Sequence, residues 1–542
     1  MINKLSIRYM WFVIIFWAGI LFCQNLRWIY RYNGSGNSSD RANAMVYGTD
    51  NLYAAGVVNK SGSADDFAVV SVDTAGNENW VYTYNGPDNS NDRAHAITMG
   101  LDGKIYAAGV SHSSTGNDFT VVCLDTSGSD DWVYRYNGPA NSSDEANAIV
   151  YGLDNNIYAA GYSVTNPNAD IMVISLKPAG DTNWTFRYPG PGNGSEKAFS
   201  IVYGLDNNIY VAGHSTGSGT FYDFIIISLS TNGDTNWIYR RNGPGNGPDE
   251  GRSIDYGIDG HIYAAGYSWG GSSTKNDFTI ISLTHTATER WVLDYDGPGS
   301  DSDEGYSLVC GSDGNIYGAG YSTGSASAED FTVVSLATGG GTRWIYRYNG
   351  PGNSDDRANS VAYGNDGNVY AAGLSAGSGT GKDFTATSLT QDLGEENWVY
   401  RYNGPGNDSD GVYAITYGGD ENIYCAGYST GSATGSDFTV ISLETGVGIE
   451  EEQVQPLSKP LFSVVSLFRD RIVLQFSEPS QRPLEIMLYD VCGRCVYGKV
   501  FSFTPNSIEI KDRSIKALGL GVYFLSVVSG NNKLRRVKLV KL

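Results

Sequence analysis

The chain has 542 residues, 69 of them Gly and 38 Tyr but only 6 Met and 5 His, and a formal net charge of −22. So acidic a chain excludes DNA and RNA as partners, because phosphate binding needs a basic surface. The glycine- and tyrosine-rich composition favours many short strands joined by tight turns over helical bundles.

The N-terminus reads as an export signal. Lys4 and Arg8 precede an unbroken apolar run from Tyr9 to Phe22, shorter than the roughly 20 residues that span a bilayer. Residues 1–23 are assigned to this signal, with cleavage near Cys23–Gln24. The alternatives are lipidation of Cys23, for which Phe22 is a poor preceding residue, and retention of the run as an anchor. No other segment is apolar enough for a stable membrane span in the mature chain.

Tryptophans then recur at 28, 80, 132, 184, 237, 291, 344 and 398, spaced by 52 to 54 residues, so the chain is a repeat protein. The third unit is representative, with strand-like runs "WVYRYNG" (132–138), "ANAIVYG" (146–152), "NIYAAGYS" (156–163) and "DIMVISL" (170–176). The first alternates with period two, and the middle runs are almost continuously apolar, as in sheets covered on both faces. Turn signals such as "NGPGN", "LDNN" and "IDG" separate them. Four short strands per unit, eight times over, predict an eight-bladed β-propeller for residues 24–447. An open solenoid would repeat at a shorter period, and seven blades plus a loose unit would leave a strand unpaired.

The two ends support closure. The strand at Trp28 has no blade before it, and "DFTVISL" (437–443) has no Trp strand after it. The N-terminal strand is therefore expected to complete the last blade and remove two free edges. The wording "AAGYSTGS…DFTVISL…NWVYRYNGPGN" resembles the repeats of bacterial secreted β-propeller proteins (SBBP-like repeats) over roughly residues 28–445. That resemblance implies a propeller and transfers no catalytic residue. Departures are Pro189 in "WTFRYPGPGN" and the segment "WVLDYDGPGS" at 291.

An acid stands twelve residues after every Trp: Asp40, Asp92, Asp144, Glu196, Asp249, Asp303, Asp356 and Asp410. Each follows the NGPGN turn and precedes the innermost strand, which puts all eight on one face near the central channel. One reading is that each carboxylate binds backbone N–H groups of its own loop. The other is an acidic binding ring at the channel mouth, attractive to Ca²⁺, although no loop has the spacing of a dedicated calcium site. A second acid precedes the third strand of every unit (Asp66, Asp118, Asp170, Asp223, Asp277, Asp330, Asp383, Asp437), and a third occupies hairpin turns, as at Asp102, Asp259 and Asp366. Both sets suit turn duty. The Trp and Tyr side chains are expected to fill the space between blades, and Trp269 and Tyr222 at loop tips could stack on sugars. No cofactor is implied.

The five histidines occupy unrelated repeat positions, and no catalytic constellation is recognisable. Repeated acids could supply a glycosidase pair, yet an enzyme site usually breaks repeat symmetry with an insertion, and these units barely differ in length. Cys123, Cys310 and Cys425 read as lone buried thiols. Cys492 and Cys495 form a C-x-x-C flanked by strand-like runs, which reads as a hairpin rather than a redox motif.

The charge changes near residue 450. From Glu450 onward 14 basic residues face 9 acidic ones, leaving 22 basic and 49 acidic before it. Residues 448–460, "GIEEEQVQPLSKP", form a polar, proline-punctuated linker. Residues 461–542 carry alternating strands, "RIVLQFS", "LEIMLYDV", "CVYGKVF", "SIEIKD", "GVYFLSVVSG" and "KLRRVKLVKL", in a small Ig-like β-sandwich pattern. The order "LYDVCGRCVY…LGLGVYFLSVVSG…RRVKLVKL" resembles the C-terminal sorting domain of the bacterial type IX secretion system. It implies that the secretion machinery is the partner of residues 461–542, with export across both membranes to the outer cell surface or beyond.

The sequence thus predicts an all-β, non-enzymatic binding or adhesion scaffold with an unknown extracellular ligand, glycan or protein. The Gly/Ser-rich stretches after "AAG", such as 267–277, are the expected contacts. The alternatives are a secreted carbohydrate-active enzyme on a propeller and a structural surface-layer component.

Overall fold

Alternating aromatic and β-branched residues broken by Gly-rich turns leave each unit little choice but a four-stranded antiparallel meander. The computed structural model describes residues 26–445 except 166, 193 and 326, and most of 462–541. The proposed signal, the linker and Cys492 lie outside the described residues. The chain divides into two compact units with the boundary at Val447–Gly448.

Within the first unit, eight four-stranded sheets follow one another in chain order. Blade I comprises Arg41–Tyr47, Asn51–Asn59, Asp65–Asp73 and Glu78–Tyr84, and blades II to VII begin at Arg93, Asp144, Lys197, Glu250, Asp303 and Arg357. Blade VIII takes Asp410–Tyr417, Asn422–Thr430 and Ser436–Glu444, and its outer strand is Leu26–Tyr32. The register runs from Leu26 opposite Leu443 to Tyr32 opposite Phe438. The first strand of each blade packs against that of the next, and Asp410–Tyr417 against Arg41–Tyr47 closes the ring. The expected eight-bladed propeller sealed by its N-terminal strand is what the chain forms.

Packing between blades is aromatic. The second-strand tyrosines (Tyr53, Tyr106, Tyr158, Tyr210, Tyr263, Tyr317, Tyr370, Tyr424) are essentially fully buried. Each has a neighbouring Trp ring about 6 Å away, as in Tyr158–Trp184 at 5.8 Å. Trp indoles also donate across blades: Trp28 Nε1 to the Thr74 carbonyl (3.0 Å), Trp132 to Pro178 (2.9 Å) and Trp291 to Thr338 (2.8 Å). The acceptor is a hairpin turn of the next blade, and its glycine lies flat on the indole; a Cβ on Gly233 (φ +87°) would meet Trp184 at 2.7 Å.

One irregularity recurs in all eight blades. The register between first and second strands slips by one residue, at Ala42/Ala44 in blade I and Gly251/Ser253 in blade V. This bulge brings the two backbones together, which explains the invariant Gly of the "AAG" wording. A Cβ on Gly161 would sit 1.9 Å from the Glu145 carbonyl oxygen.

The second unit has a three-stranded sheet (Phe462–Val464, Ile472–Phe476, Ser507–Ile510) and a five-stranded one built on Leu484–Asp490, Cys495–Phe501, Gly521–Ser529 and Asn532–Lys541, with Leu467–Phe468 at its edge. Residues of both sheets, including Leu474, Ile508, Ile486 and Leu525, share one apolar core. The strands flanking the C-x-x-C pair antiparallel, Tyr489 opposite Cys495. Among the described residues no helix is long and apolar enough to cross a membrane.

Candidate functional site

The antiparallel meander sorts the connections onto two faces. Turns entering each blade and loops joining its second and third strands share one face; the two hairpin turns share the other. The eight acids Asp40, Asp92, Asp144, Glu196, Asp249, Asp303, Asp356 and Asp410 lie on the first face, one per blade, each fully buried. Asp303 is representative: Gly297 N donates to Oδ2 and Thr323 N to Oδ1, both at 2.8 Å, so one carboxylate ties the entering turn to the following loop. Asp356 does the same with Gly350 and Ala376, and Asp410 with Gly404 and Thr430. The acid's own N–H donates to the preceding blade, as from Asp249 to the Tyr222 carbonyl at 2.7 Å. These residues staple blades together and present no carboxylate ring to solvent; of the two readings, the backbone role fits their geometry. Burial pushes the carboxyls of Asp40, Asp249 and Asp303 up to about 6, against the lowering effect of their amide donors. Burial likewise takes Glu196 up to about 7.

The second set of acids is buried too, and in six blades an Arg from the fourth strand neutralises it: Arg31–Asp437, Arg135–Asp118, Arg187–Asp170, Arg240–Asp223, Arg347–Asp330 and Arg401–Asp383, at 2.5–2.8 Å. The hairpin acids accept from the buried tyrosines, as Asp102 from Tyr106 (2.7 Å), Asp259 from Tyr263 (2.7 Å) and Asp366 from Tyr370 (2.6 Å). Cys123 and Cys425 are buried free thiols, and Cys310 is a half-buried one. Their pKa values are pushed above the usual thiol range, chiefly by burial, so none is a ready nucleophile.

Two surfaces that the sequence reading passed over are built by these same rules. The first is the set of bulge residues, Asn43, His95, Asn147, Phe199, Arg252, Tyr306, Asn359 and Tyr413, which the slipped register turns toward the neighbouring inner strand around the axis. Asn43 Nδ2 donates to the Ala94 carbonyl and Asn147 Nδ2 to Ala198, at 2.7 and 2.8 Å. Arg252 donates to Glu250 and Glu304 at 2.8 and 2.7 Å and lies 4.8 Å from the centres of the Tyr267 and Tyr306 rings. Burial would raise Glu250, but His214 (2.8 Å) and Arg252 hold its carboxyl below the usual range. Chemical variety at a fixed backbone position is the signal; it went unread because the bulge falls inside an apparently regular strand.

The second surface lies on the opposite face. The residue after the buried Gly that opens the first hairpin turn is exposed in every blade, and in four consecutive blades it is large and apolar: Leu101 (72% exposed), Leu153 (55%), Leu205 (69%) and Ile258 (64%). The corresponding residues elsewhere are Thr49, Ser312, Asn365 and Gly419. The "LDNN" and "IDG" strings contain this arc, yet in the sequence they register as turn signals alone. The stretch 267–277 is mostly strand, Ile262–Gly271 and Lys275–Leu283, with Trp269 packed over Gly245 and Gly247. Tyr222 stacks on His214 at 4.2 Å and is 39% exposed.

No family model and no curated protein matches this sequence. Solved structures do. Chaetomium thermophilum Sqt1 is 12% identical with a TM-score of 0.51, over 78% of this chain and 98% of that one. The quinohemoprotein alcohol dehydrogenase ADHIIG from Pseudomonas putida HK5 is 13% identical with a TM-score of 0.51, over 82% and 80%. PorZ of Porphyromonas gingivalis, a surface component of the type IX secretion system, is 12% identical over 93% and 70%, but with a TM-score of 0.38. At these identities the likeness to Sqt1 and ADHIIG is one of fold alone: this chain is an eight-bladed β-propeller followed by a small β-sheet unit.

Proposed function

We propose that the protein is a non-enzymatic binding or adhesion scaffold, carried to the outer cell surface or beyond by recognition of residues 461–542 by type IX secretion machinery. The observation that carries the binding half is the apolar arc of Leu101, Leu153, Leu205 and Ile258. Four large side chains held in water by adjacent, rigid turns mark an interaction face. The carboxylates, by contrast, are engaged in holding blades together. The two-sheet form of the tail supports the delivery half.

The test is binding of the full chain to printed glycans and a panel of extracellular proteins, beside the double variant L101D/L205D. We expect a partner whose affinity falls at least about tenfold in the variant with thermal stability unchanged. Undiminished binding overturns the placement on this arc, and cleavage of a bound glycan overturns the scaffold reading. For delivery, truncation after about residue 456 is expected to trap the product in the periplasm; normal surface display of that chain overturns the address.

A further inference from the structure

The repeat breaks its own electrostatic rule at the junction of blades V and VI. In a regular junction, the Asp before the third strand pairs with a fourth-strand Arg, which at Arg240 and Arg401 also reaches a Tyr of the preceding blade. Arg240 does so with Asp223 (2.8 Å) and the Tyr188 hydroxyl (3.2 Å). Asn242 and the stapling Asp249 follow. Those five positions carry one net negative charge.

At this junction the Tyr position is Arg241 of blade IV, the Arg position Asp294 and the Asn position Asp296, while Asp277 and the stapling Asp303 remain. Arg241 donates to Asp294 and to Ser268 Oγ, so the exchanged pair satisfies itself. The five positions now carry three net negative charges, two more than a regular junction.

Nothing cationic is bonded to Asp277. It is 7% exposed, its Oδ1 is buried without a hydrogen-bond partner, and it forms no salt bridge among the described residues. The same oxygen is bare in Asp66, Asp223, Asp330 and Asp383, but the charge of the last three is met by Arg, and Asp66 has Lys60 beside it, bonded to Thr83 at the Arg position. One carboxylate oxygen each from Asp277, Asp296 and Asp303 lies within 4.8 Å of the others. Oxygens bound to one Ca²⁺ at about 2.4 Å are separated by at most about 4.8 Å.

We propose that Asp277, Asp296 and Asp303 form a Ca²⁺ site between blades V and VI, on the face of the turns that enter each blade, the ion supplying the two positive charges this junction lacks. Calcium is the suitable ion because every protein ligand is an oxygen and the cluster offers no imidazole or thiolate. Asp303 holds its orientation through the Gly297 and Thr323 amides. Asp296 is exposed and leaves the ion an open approach. Burial, with Asp296 and Asp294 adding to it against the opposing effects of Thr274 and Arg241, takes the Asp277 carboxyl up to about 6.

The experiment uses the full chain, stripped with EDTA and titrated with CaCl₂ by calorimetry and by thermal melting, with MgCl₂ as the control. We expect one Ca²⁺ per chain, a rise in melting temperature, and a much weaker response to Mg²⁺, which demands a smaller octahedral shell. Asp296→Asn should weaken binding at least tenfold. The double variant R241Y/D294R restores the regular junction, so it should fold and lose the site. Absence of stoichiometric binding at millimolar Ca²⁺ overturns the proposal, as does binding that survives both variants. An equal response to Mg²⁺ overturns the assignment to calcium.

Discussion

At Glu196 the repeat's aspartate is one methylene longer, and the consequence is measurable. Thr216 N donates to Oε1 at 3.1 Å, while Oε2 is buried with no partner. Burial raises this carboxyl from its ordinary value of 4.5 to about 7. A raised folded-state pKa contributes stability that is complete below pH 4.5 and is lost as pH rises through about 7. Glu196→Gln, neutral at all pH, is therefore expected to stabilise the propeller by at most about 3 kcal/mol at pH 8 and by less than about 1 kcal/mol below pH 5. Urea midpoints at the two pH values check this. Gly161→Ala should cost about 3 kcal/mol, because its Cβ meets a backbone oxygen that the bulge holds fixed. That the acid and the glycine matter is legible from their recurrence. Which way the carboxylate turns is not, since the same spacing fits a staple and an open ring.

Among the elements, the strand Leu26–Tyr32 has the most far-reaching role. It pairs with Ser436–Glu444 across more than 400 residues of chain. Removing residues through Asn33 leaves that partner as an open edge. We expect a chain so truncated to lose several degrees in melting temperature and to associate. A synthetic Leu26–Asn33 peptide should restore the monomer by adding the missing strand, as size-exclusion chromatography would show. In the tail unit, the comparable tie is the buried Lys541. Its Nζ donates to the carbonyls of Ile515, Lys516 and Leu518 at 2.7–2.9 Å. Lys541→Met strips three acceptors of their donor and should destabilise this unit by about 2–3 kcal/mol.

For the whole molecule, the raised carboxyls act together. Asp40, Asp249, Asp277 and Asp303 reach about 6 from an ordinary 3.8, and Glu196 about 7. Between pH 4 and 7 the folded propeller holds more protons than the unfolded chain, so stability falls as pH rises. The urea midpoint of the chain stripped with EDTA is therefore expected to be higher at pH 5 than at pH 7.5. Tryptophan emission reports this transition selectively, because residues 461–542 contain no Trp. Circular dichroism should reveal the second unit as a separate transition, and truncation after Val447 should leave the tryptophan transition in place.

The sequence by itself determined the number of blades, the strands within them and the closure of the ring. Those depend on period, alternation and a matching deficit at the two ends, all of which are local or countable. Only the tertiary structure decided what the recurring acids face. It also decided which residues a one-residue slip turns toward the axis, and that Leu101, Leu153, Leu205 and Ile258 stand in one arc. The charge excess at Asp277, Asp296 and Asp303 belongs to the same class. It becomes visible only when stacking of consecutive blades sets Arg241 of one module against Asp294 of the next, and side-chain direction and contact between modules are properties of the packed ring.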